Sequence, residues 1–173
     1  MSILIIGGTG RVGGPAARAL AEKGEDVRVL TRSTEKSEAL PAGITGVIGD
    51  LEDTESLRPA FAGVNKLLLI TANGETEELR GTNAVAAAVA AGVNKIVFLS
   101  VKLSEAAMKV PHYASKVAIE DAIRASSITH TFLRPDFFFQ NDLMLGGAIS
   151  GGGVYPMPIG NIGQNRIDTR DIG

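Results

Sequence analysis

Residues 3–13, ILIIGGTGRVG, decide the fold of this 173-residue chain. The apolar run at 3–6 is typical of a short buried strand, and the residues after it are rich in glycine. A first glycine lets the chain turn sharply, a second leaves room for a ligand, and a third lets the next helix pack close to the sheet. The N–H groups and partial positive charge at that helix's start attract phosphates. The stretch therefore predicts a pyrophosphate-binding turn at Gly7, Gly10 and Gly13, spaced G-x-x-G-x-x-G.

Composition narrows the class of protein. Hydrophobic residues make up 45% of the chain and charged residues 21%, as in globular domains. A net charge of -2 with no block of Lys or Arg argues against nucleic acid or an anionic membrane as a partner. The absence of cysteine excludes disulfides and thiolate chemistry, and we expect no metal site. No apolar run is long enough to span a bilayer and the first strand leaves no room for a signal peptide, so we expect a cytoplasmic protein.

Strand-like and helix-like segments alternate along the chain. This alternation predicts an α/β fold with a doubly wound parallel sheet. Right-handed crossovers would place all the strand carboxyl ends at one edge, where ligands bind. The pattern predicts strands at 2–6, 26–31, 44–48, 66–71, 95–100 and 129–134, and helices at 12–23, 37–40, 54–61, 75–91 and 112–125.

The character of the sequence changes after Pro135. We expect a nucleotide-binding domain over 1–135 and the start of a substrate-side subdomain over 136–173. Within the second part, the sequence predicts a helix at 136–145, a glycine- and proline-rich stretch at 146–163 and a short strand at 165–169.

The end of the second strand indicates the type of cofactor. In NAD-binding proteins this position usually carries an acid that holds the ribose 2′-hydroxyl. Here the strand VRVLT ends in Arg32, and a guanidinium forms paired, charge-assisted bonds to a 2′-phosphate. The sequence therefore predicts NADP, with NAD as the alternative. Arg11 and Lys36 are further candidates for the same phosphate, and the competing interpretation of Arg32 is a solvated loop cation.

Several stretches in order carry a resemblance that covers nearly the whole chain. They are GGTGRVG, VLTRS, GDLEDTESLRPAFAGVNKLLLIT, AAGVNKIVFLS and KVAIEDAIRASSITHTFLRPDFFFQN. Together they resemble the NmrA-like family of atypical short-chain dehydrogenases/reductases. The resemblance is greatest to its NAD(P)H-dependent quinone oxidoreductases and NAD(P)-binding regulators. It implies a Rossmann domain followed by a small substrate domain.

The resemblance also implies roles for single residues. Asp50 would accept a hydrogen bond from the adenine amino group, unless it is a loop carboxylate or a helix cap. Phe137 and Phe138, with Phe139, would form a flat surface for an aromatic or quinone ring, unless they are core residues. The implied cofactor contacts are Gly7, Thr9, Gly10, Arg11, Val12, Gly13, Arg32, Asp50, Leu51, Thr71, Ala72, Asn73, Lys116 and Pro135.

The catalytic residues are less well defined. Many members of the wider superfamily use Tyr-x-x-x-Lys, in which the lysine lowers the tyrosine pKa so that the phenol donates a proton. Here the position four before Lys116 is His112, and Tyr113 lies three before. Both spacings fall on one helix face, so either side chain could work with Lys116. Ser100, at the end of the fifth strand, is a further candidate near the substrate carbonyl.

Family members usually continue past the stretch RIDTRDIG at 166–173, where an Asp-Ile pair opens a helix. The resemblance therefore implies that the C-terminal part of the substrate domain is missing from this chain. An open substrate cleft with exposed apolar surface would favour a homodimer.

Two functions follow from these patterns. The first is an NADPH-dependent reductase of a quinone or a similar flat carbonyl compound, favoured by the phenylalanines and Ser100. The alternative is a non-catalytic NADP(H)-binding sensor that acts through a partner protein, favoured by the missing Tyr-x-x-x-Lys.

Overall fold

The computed structural model describes residues 1–103, 109–157, 160 and 163–173. Its centre is a parallel sheet with the strand order β3-β2-β1-β4-β5-β6. The order reverses between β1 and β4, which creates a crevice at the strand carboxyl ends. The predicted doubly wound α/β fold is therefore confirmed. The strands are β1 Ser2–Ile6, β2 Asp26–Thr31, β3 Ile44–Ile48, β4 Lys66–Leu69, β5 Lys95–Leu99 and β6 Thr129–Leu133.

Five helices connect these strands, close to the predicted positions. The largest shift is in α2, which begins at Thr34 rather than Ser37 because Ser33 caps it. The Ser33 Oγ accepts a hydrogen bond from the Lys36 N–H at 3.2 Å. The helices are α1 Gly13–Glu22, α2 Thr34–Glu38, α3 Thr54–Ala60, α4 Glu77–Ala90 and α5 Pro111–Ala125.

The core lies on both faces of β1, where every residue is buried. Leu4 and Ile6 belong to a cluster that includes buried residues of α3, α4 and α5. Ile3 and Ile5 point to the other face, in a cluster with Ala17 of α1. Each buried side chain of this size contributes about 1.5–3 kcal/mol, so β1 anchors the edge from which the glycine turn departs.

The region after β6 differs from the sequence prediction. The helix predicted at 136–145 is confirmed only from Phe139 onward, as a 3₁₀ helix. Before it, β7, Phe137–Phe138, pairs in parallel with β8, Arg166–Ile167. Consecutive aromatic residues favour extended backbone, which ends the helical pattern. A 3₁₀ helix at Phe139–Leu145 then leads into α6, Gly146–Gly152. Helical propensity does not predict α6 in such a glycine-rich stretch.

The last described element is α7, Thr169–Ile172, which the Asp168 carboxylate caps by accepting from the Arg170 N–H at 2.8 Å. The predicted strand at 165–169 is thus shorter than expected. Among the helices of the described ranges, none has both the length and the apolarity to cross a bilayer. The division at residue 135 into two domains stays a prediction.

Candidate functional site

The turn after β1 has a backbone that requires glycine. Gly7 has φ +79°, and a Cβ there would lie 2.6 Å from the Ile70 carbonyl oxygen of the neighbouring chain segment. A Cβ at Gly13 would lie 2.3 Å from the Gly7 oxygen, so α1 packs directly on the turn. The Gly10 N–H donates to the Gly7 carbonyl at 3.0 Å and closes the turn. Sequence reasoning missed Gly8, where a Cβ would approach Val29 to 2.6 Å.

The start of α1 suits an anion. Its N-cap is Val12, which makes no side-chain capping bond, and its first turn contains no acidic residue. The Gly14 N–H already donates to the Gly10 carbonyl at 2.9 Å and Pro15 has no N–H, so it is mainly the helix dipole that favours negative charge there. The turn and the start of α1 therefore lie together, and their contact with a pyrophosphate stays a prediction.

A cleft of about 330 Å³ extends from this turn over the ends of β1, β2, β3 and β4. A larger hollow of about 490 Å³ lies between α3 and α4, away from the strand ends and the turn. We assign the ligand site to the smaller cleft because it lies at the switch point of the sheet. It brings together the predicted cofactor residues Gly7, Thr9, Arg32, Asp50, Leu51 and Ala72.

Cations surround the cleft on the β2 side. The Arg32 Nη1 lies 3.8 Å from the Asp50 Oδ2, and these side chains are 68% and 39% exposed. Lys36 also lines the cleft, as predicted. Arg80 lines it too, although no sequence pattern indicated this, and its guanidinium pairs with Glu52 at 2.6 Å. An exposed pair such as Arg32–Asp50 is weak, so the Arg32 guanidinium remains available to a phosphate.

Asp50 is fixed by its own loop. Its Oδ1 accepts from the Glu52 N–H at 3.0 Å, and its N–H donates to the Ser56 Oγ at 2.8 Å. The cap of α3 is Asp53, whose Oδ1 accepts from the Glu55 N–H at 3.2 Å. Asp50 is therefore a loop carboxylate beside the cleft, and its contact with adenine stays a prediction.

A buried carboxylate that sequence reasoning missed organises the other side of the cleft. Glu77, the first residue of α4, is fully buried. Its Oε1 accepts from the Thr71 hydroxyl at 2.7 Å and lies 2.9 Å from the Lys116 Nζ. Its Oε2 accepts from the Ser115 hydroxyl at 2.9 Å and lies 2.7 Å from the His112 Nδ1. Glu75, Glu77 and Glu78 are alike in the sequence, so nothing there distinguished this one.

The pKa values of both members of the Glu77–Lys116 ion pair are lowered, for different reasons. Burial lowers the pKa of the Lys116 ammonium, against the opposing effect of Glu77. Burial alone would raise the pKa of the Glu77 carboxyl, but hydrogen bonds from Lys116 and Thr71 hold it below its ordinary value. A pair with these bonds is stable when both members are charged.

A second buried carboxylate lies at the end of β5. Glu120 is fully buried, and its Oε1 accepts from the Ser100 hydroxyl at 2.6 Å and from the Arg134 Nε at 2.9 Å. Its Oε2 pairs with Arg124 at 2.6 Å. Burial would raise the pKa of Glu120, but the bonds from Arg134 and Ser100 lower it. Lys116 and Glu120 are four residues apart on α5 but belong to different hydrogen-bond networks. Lys116 bonds to Glu77 and Thr71, and Glu120 bonds to Ser100 and Arg134.

The candidate proton donors lie at the start of α5. The His112 side chain is half-buried, and its ring packs edge-on against Tyr113 with 5.7 Å between the ring centroids. The His112 Nδ1 contacts the Glu77 carboxylate. The backbone N–H of Tyr113 donates to the Val110 carbonyl at 2.9 Å, which helps to hold Tyr113 beside His112. The structure thus brings His112 and Lys116 to one carboxylate.

The predicted substrate surface lies in the β7–β8 ladder. Phe137 and Phe138 are half-buried, and Phe139 is exposed. The Arg166 guanidinium lies 5.0 Å from the centroid of the Phe137 ring and 5.2 Å from that of Phe139. One face of this aromatic surface therefore contacts a cation.

The remaining predicted cofactor residues differ in exposure. Asn73, Gly10 and Arg11 are exposed, Pro135 is half-buried and Val12 is buried.

The site fits a dinucleotide with an additional phosphate. The glycine turn brings α1 close against the end of β1 beside the cleft, and Arg32 and Lys36 add positive charge farther along the cleft. Fold and site together define a nucleotide-binding protein of the Rossmann class.

Comparison with known proteins gives the family. The model of the NmrA-like family matches residues 1–155, and the chain belongs to that family. It is 33% identical to an NAD(P)H azoreductase of Xenophilus azovorans over 98% of this chain and 60% of that protein. It is 32% identical to a photosystem II assembly factor of Cyanophora paradoxa over 92% of this chain and 50% of that protein.

A solved structure agrees with this assignment. The crystal structure of an NADPH-dependent quinone oxidoreductase from Escherichia coli, complexed with NADPH, superposes with a TM-score of 0.77 at 29% identity. The match covers 88% of this chain and 55% of that one. This chain thus spans between half and two thirds of the length of these relatives.

Proposed function

We propose that this protein is an NADPH-dependent reductase of a quinone or a similar flat carbonyl compound. The observation that carries the proposal is the position of Arg32, at the end of β2 and beside the cleft that starts at the glycine turn. A guanidinium there selects a cofactor with a 2′-phosphate. The relation to an azoreductase and to a quinone oxidoreductase crystallised with NADPH supports the class of reaction.

Each part of the site has a role in this proposal. The glycine turn and the start of α1 bind the pyrophosphate, Arg32 binds the 2′-phosphate and Leu51 lies against the adenine. NADPH, when bound, supplies the hydride, and the substrate also needs a proton. We assign that proton to His112 or Tyr113, which lie side by side at the start of α5. Phe137 and Phe138 orient the flat substrate. The predicted homodimer stays a prediction.

Replacement of Arg32 tests the cofactor assignment. In Arg32→Ala, we expect NADPH binding to weaken by about 1.5–3 kcal/mol, the scale of a charged hydrogen bond. NADH binding should change little because NADH has no 2′-phosphate. Calorimetric titration of the natural protein and the variant with both cofactors measures the two effects.

The matched control is Arg58→Ala, which removes an exposed arginine on α3 outside the cleft. It should leave the affinities for both cofactors unchanged. Equal losses of NADPH and NADH binding in Arg32→Ala would contradict a phosphate role for Arg32.

A second candidate function is an NADP(H)-binding regulator that acts through a partner protein. The similarity to a photosystem II assembly factor favours it, as does the missing Tyr-x-x-x-Lys. Steady-state oxidation of NADPH with a panel of quinones separates the two candidates. Turnover supports the reductase, whereas tight NADPH binding without turnover supports the regulator.

A further inference from the structure

Thr71 follows β4 and is buried beside the cleft, with only 8% of its surface exposed. Its two neighbours in the chain, Ile70 and Ala72, both line the cleft. In a doubly wound sheet the dinucleotide crosses the switch point, with one half over the β2 and β3 side and the other over the β4 and β5 side. Arg32 marks the adenosine half, so Thr71 lies on the side of the nicotinamide half.

The hydrogen bonds of Lys116 leave it no proton to offer a ligand. The ammonium has three N–H donors. They are directed to the Thr71 Oγ1 at 2.8 Å, the Leu99 carbonyl at 3.2 Å and the Glu77 Oε1 at 2.9 Å. Because Lys116 is only 4% exposed, water does not compete for these donors. In this arrangement Lys116 does not bind a ligand directly, and its influence on a ligand passes through its hydrogen bond to Thr71.

The proton of Thr71 is also committed. Its hydroxyl donates to the Glu77 Oε1 at 2.7 Å and accepts from Lys116. A hydroxyl has one proton and two acceptor positions, so one acceptor position remains. The other Glu77 oxygen lies 2.7 Å from the His112 Nδ1 and 2.9 Å from the Ser115 hydroxyl, which also lies 2.9 Å from the His112 carbonyl. The Glu77 carboxylate therefore takes the proton of the Thr71 hydroxyl, and Thr71 can only accept a further hydrogen bond.

We propose that Glu77 and Lys116 are positioning residues that make Thr71 a dedicated hydrogen-bond acceptor for the nicotinamide half of the cofactor. This inference rests on the proposed cofactor. The group that Thr71 recognises is a donor, either the carboxamide N–H or a ribose hydroxyl. A substrate carbonyl does not fit, because Thr71 has no proton to give it.

Calorimetry with two probes tests the inference. NADPH contains both halves of the cofactor, and 2′,5′-ADP contains the adenosine half alone. In Thr71→Val, we expect about tenfold weaker NADPH binding, the scale of one hydrogen bond, and 2′,5′-ADP affinity within about twofold of the natural protein. Thr71→Ser keeps the hydroxyl and should restore NADPH binding. Glu77→Gln should show the same selective loss as Thr71→Val.

The 3-acetylpyridine analogue of NADPH, which lacks the amide N–H, identifies the donor. If the carboxamide donates, the natural protein discriminates against the analogue and Thr71→Val does not. If a ribose hydroxyl donates, Thr71→Val weakens both compounds in parallel. Either result supports the acceptor role.

An unchanged ratio of NADPH to 2′,5′-ADP affinity in Thr71→Val would overturn the inference while leaving the proposed function intact. Failure of the natural protein to bind either probe would reject the proposed function, and the inference with it. If Glu77→Gln does not fold, the Thr71 pair still decides, because both of its variants keep the Glu77–Lys116 ion pair.

Discussion

The glycine turn shows how single residues control this fold. Gly13 and Gly14 are neighbours in the first turn of α1, but only Gly13 is pressed against backbone. A Cβ at Gly13 would lie 2.3 Å from the Gly7 oxygen, whereas a Cβ at Gly14 would lie 3.6 Å from the Gly8 oxygen. Backbone atoms cannot yield as a flexible side chain does, so the two positions should respond differently to the same methyl group.

For Gly13→Ala, we expect a loss of about 1–3 kcal/mol in the free energy of unfolding, typical of overpacking, and a large loss of NADPH affinity. The methyl group forces α1 away from the turn that holds the pyrophosphate. Gly14→Ala is the control and should retain both stability and binding. Urea denaturation and calorimetry measure the two quantities. Equal behaviour of the two variants would refute the close packing of α1 on the turn.

The positions of Arg32 and of the turn glycine Gly7 beside the cleft were predictable, because each directly follows a strand. A strand end followed by glycine has few other uses, and Arg32 immediately follows its strand. Glu77 was missed because its partners His112, Ser115 and Lys116 lie on α5, more than 30 residues away in the chain. Only the packing of α4 against α5 brings these side chains together, and a periodic pattern does not encode it.

At the level of elements, α4 and α5 approach closely at a glycine. Gly81 of α4 is buried, and a Cβ there would lie 2.3 Å from the Cδ1 of Ile119 on α5. Ile119 is itself fully buried, so it has little space to move. This contact sets the distance between α4 and α5, at which Lys116 reaches Glu77 and Glu120 reaches Ser100.

We expect Gly81→Ala to destabilise the protein by about 1–2 kcal/mol, since overpacking outweighs the gain of up to about 1 kcal/mol from helix propensity. Gly147→Ala, within α6, has no atom within 4 Å of the added methyl group and should be neutral or stabilising. Thermal and urea unfolding of both variants give the comparison. A stabilised Gly81→Ala would show that the two helices do not depend on this contact.

The elements of the sheet were predictable because strand periodicity and glycine stops repeat through the first 135 residues. The region after β6 was predicted only in part. The strand β8 falls within the strand predicted at 165–169, whereas β7 falls within the helix predicted at 136–145. The two strands pair with each other, Phe137 with Arg166 and Phe138 with Ile167, and this long-range pairing has no signal in the local sequence.

For the whole molecule, two buried carboxylates connect stability to pH. The pKa values of Glu77 and Glu120 both lie below the ordinary 4.5, because bonds from Lys116, Thr71, Arg134 and Ser100 outweigh burial. As the pH falls through 4.5, the unfolded chain binds protons that the folded chain does not. The stabilisation is therefore complete above that pH and is lost as the pH falls toward the folded pKa values.

Urea unfolding between pH 7 and pH 3 should show a steady loss of stability below about pH 5. Glu120→Gln should be about 1–3 kcal/mol less stable at neutral pH, the scale of charged hydrogen bonds, and less sensitive to acid. Glu55→Gln, at an exposed position on α3, is the control and should keep the natural profile. An unaltered acid profile in Glu120→Gln would show that this carboxylate does not link stability to pH.

The position of α7 ties distant parts of the molecule together. A Cβ at Gly173, directly after α7, would lie 2.8 Å from the Ala16 Cα in α1. The N–H of buried Thr169 donates to the Gln140 Oε1 at 3.1 Å, within the 3₁₀ helix that follows the aromatic strand. α7 thus acts as a strut between the helix that carries the phosphate turn and the segment beside the phenylalanines. Loss of α7 would therefore remove a packing contact of α1 and a hydrogen bond of the 3₁₀ helix at the same time.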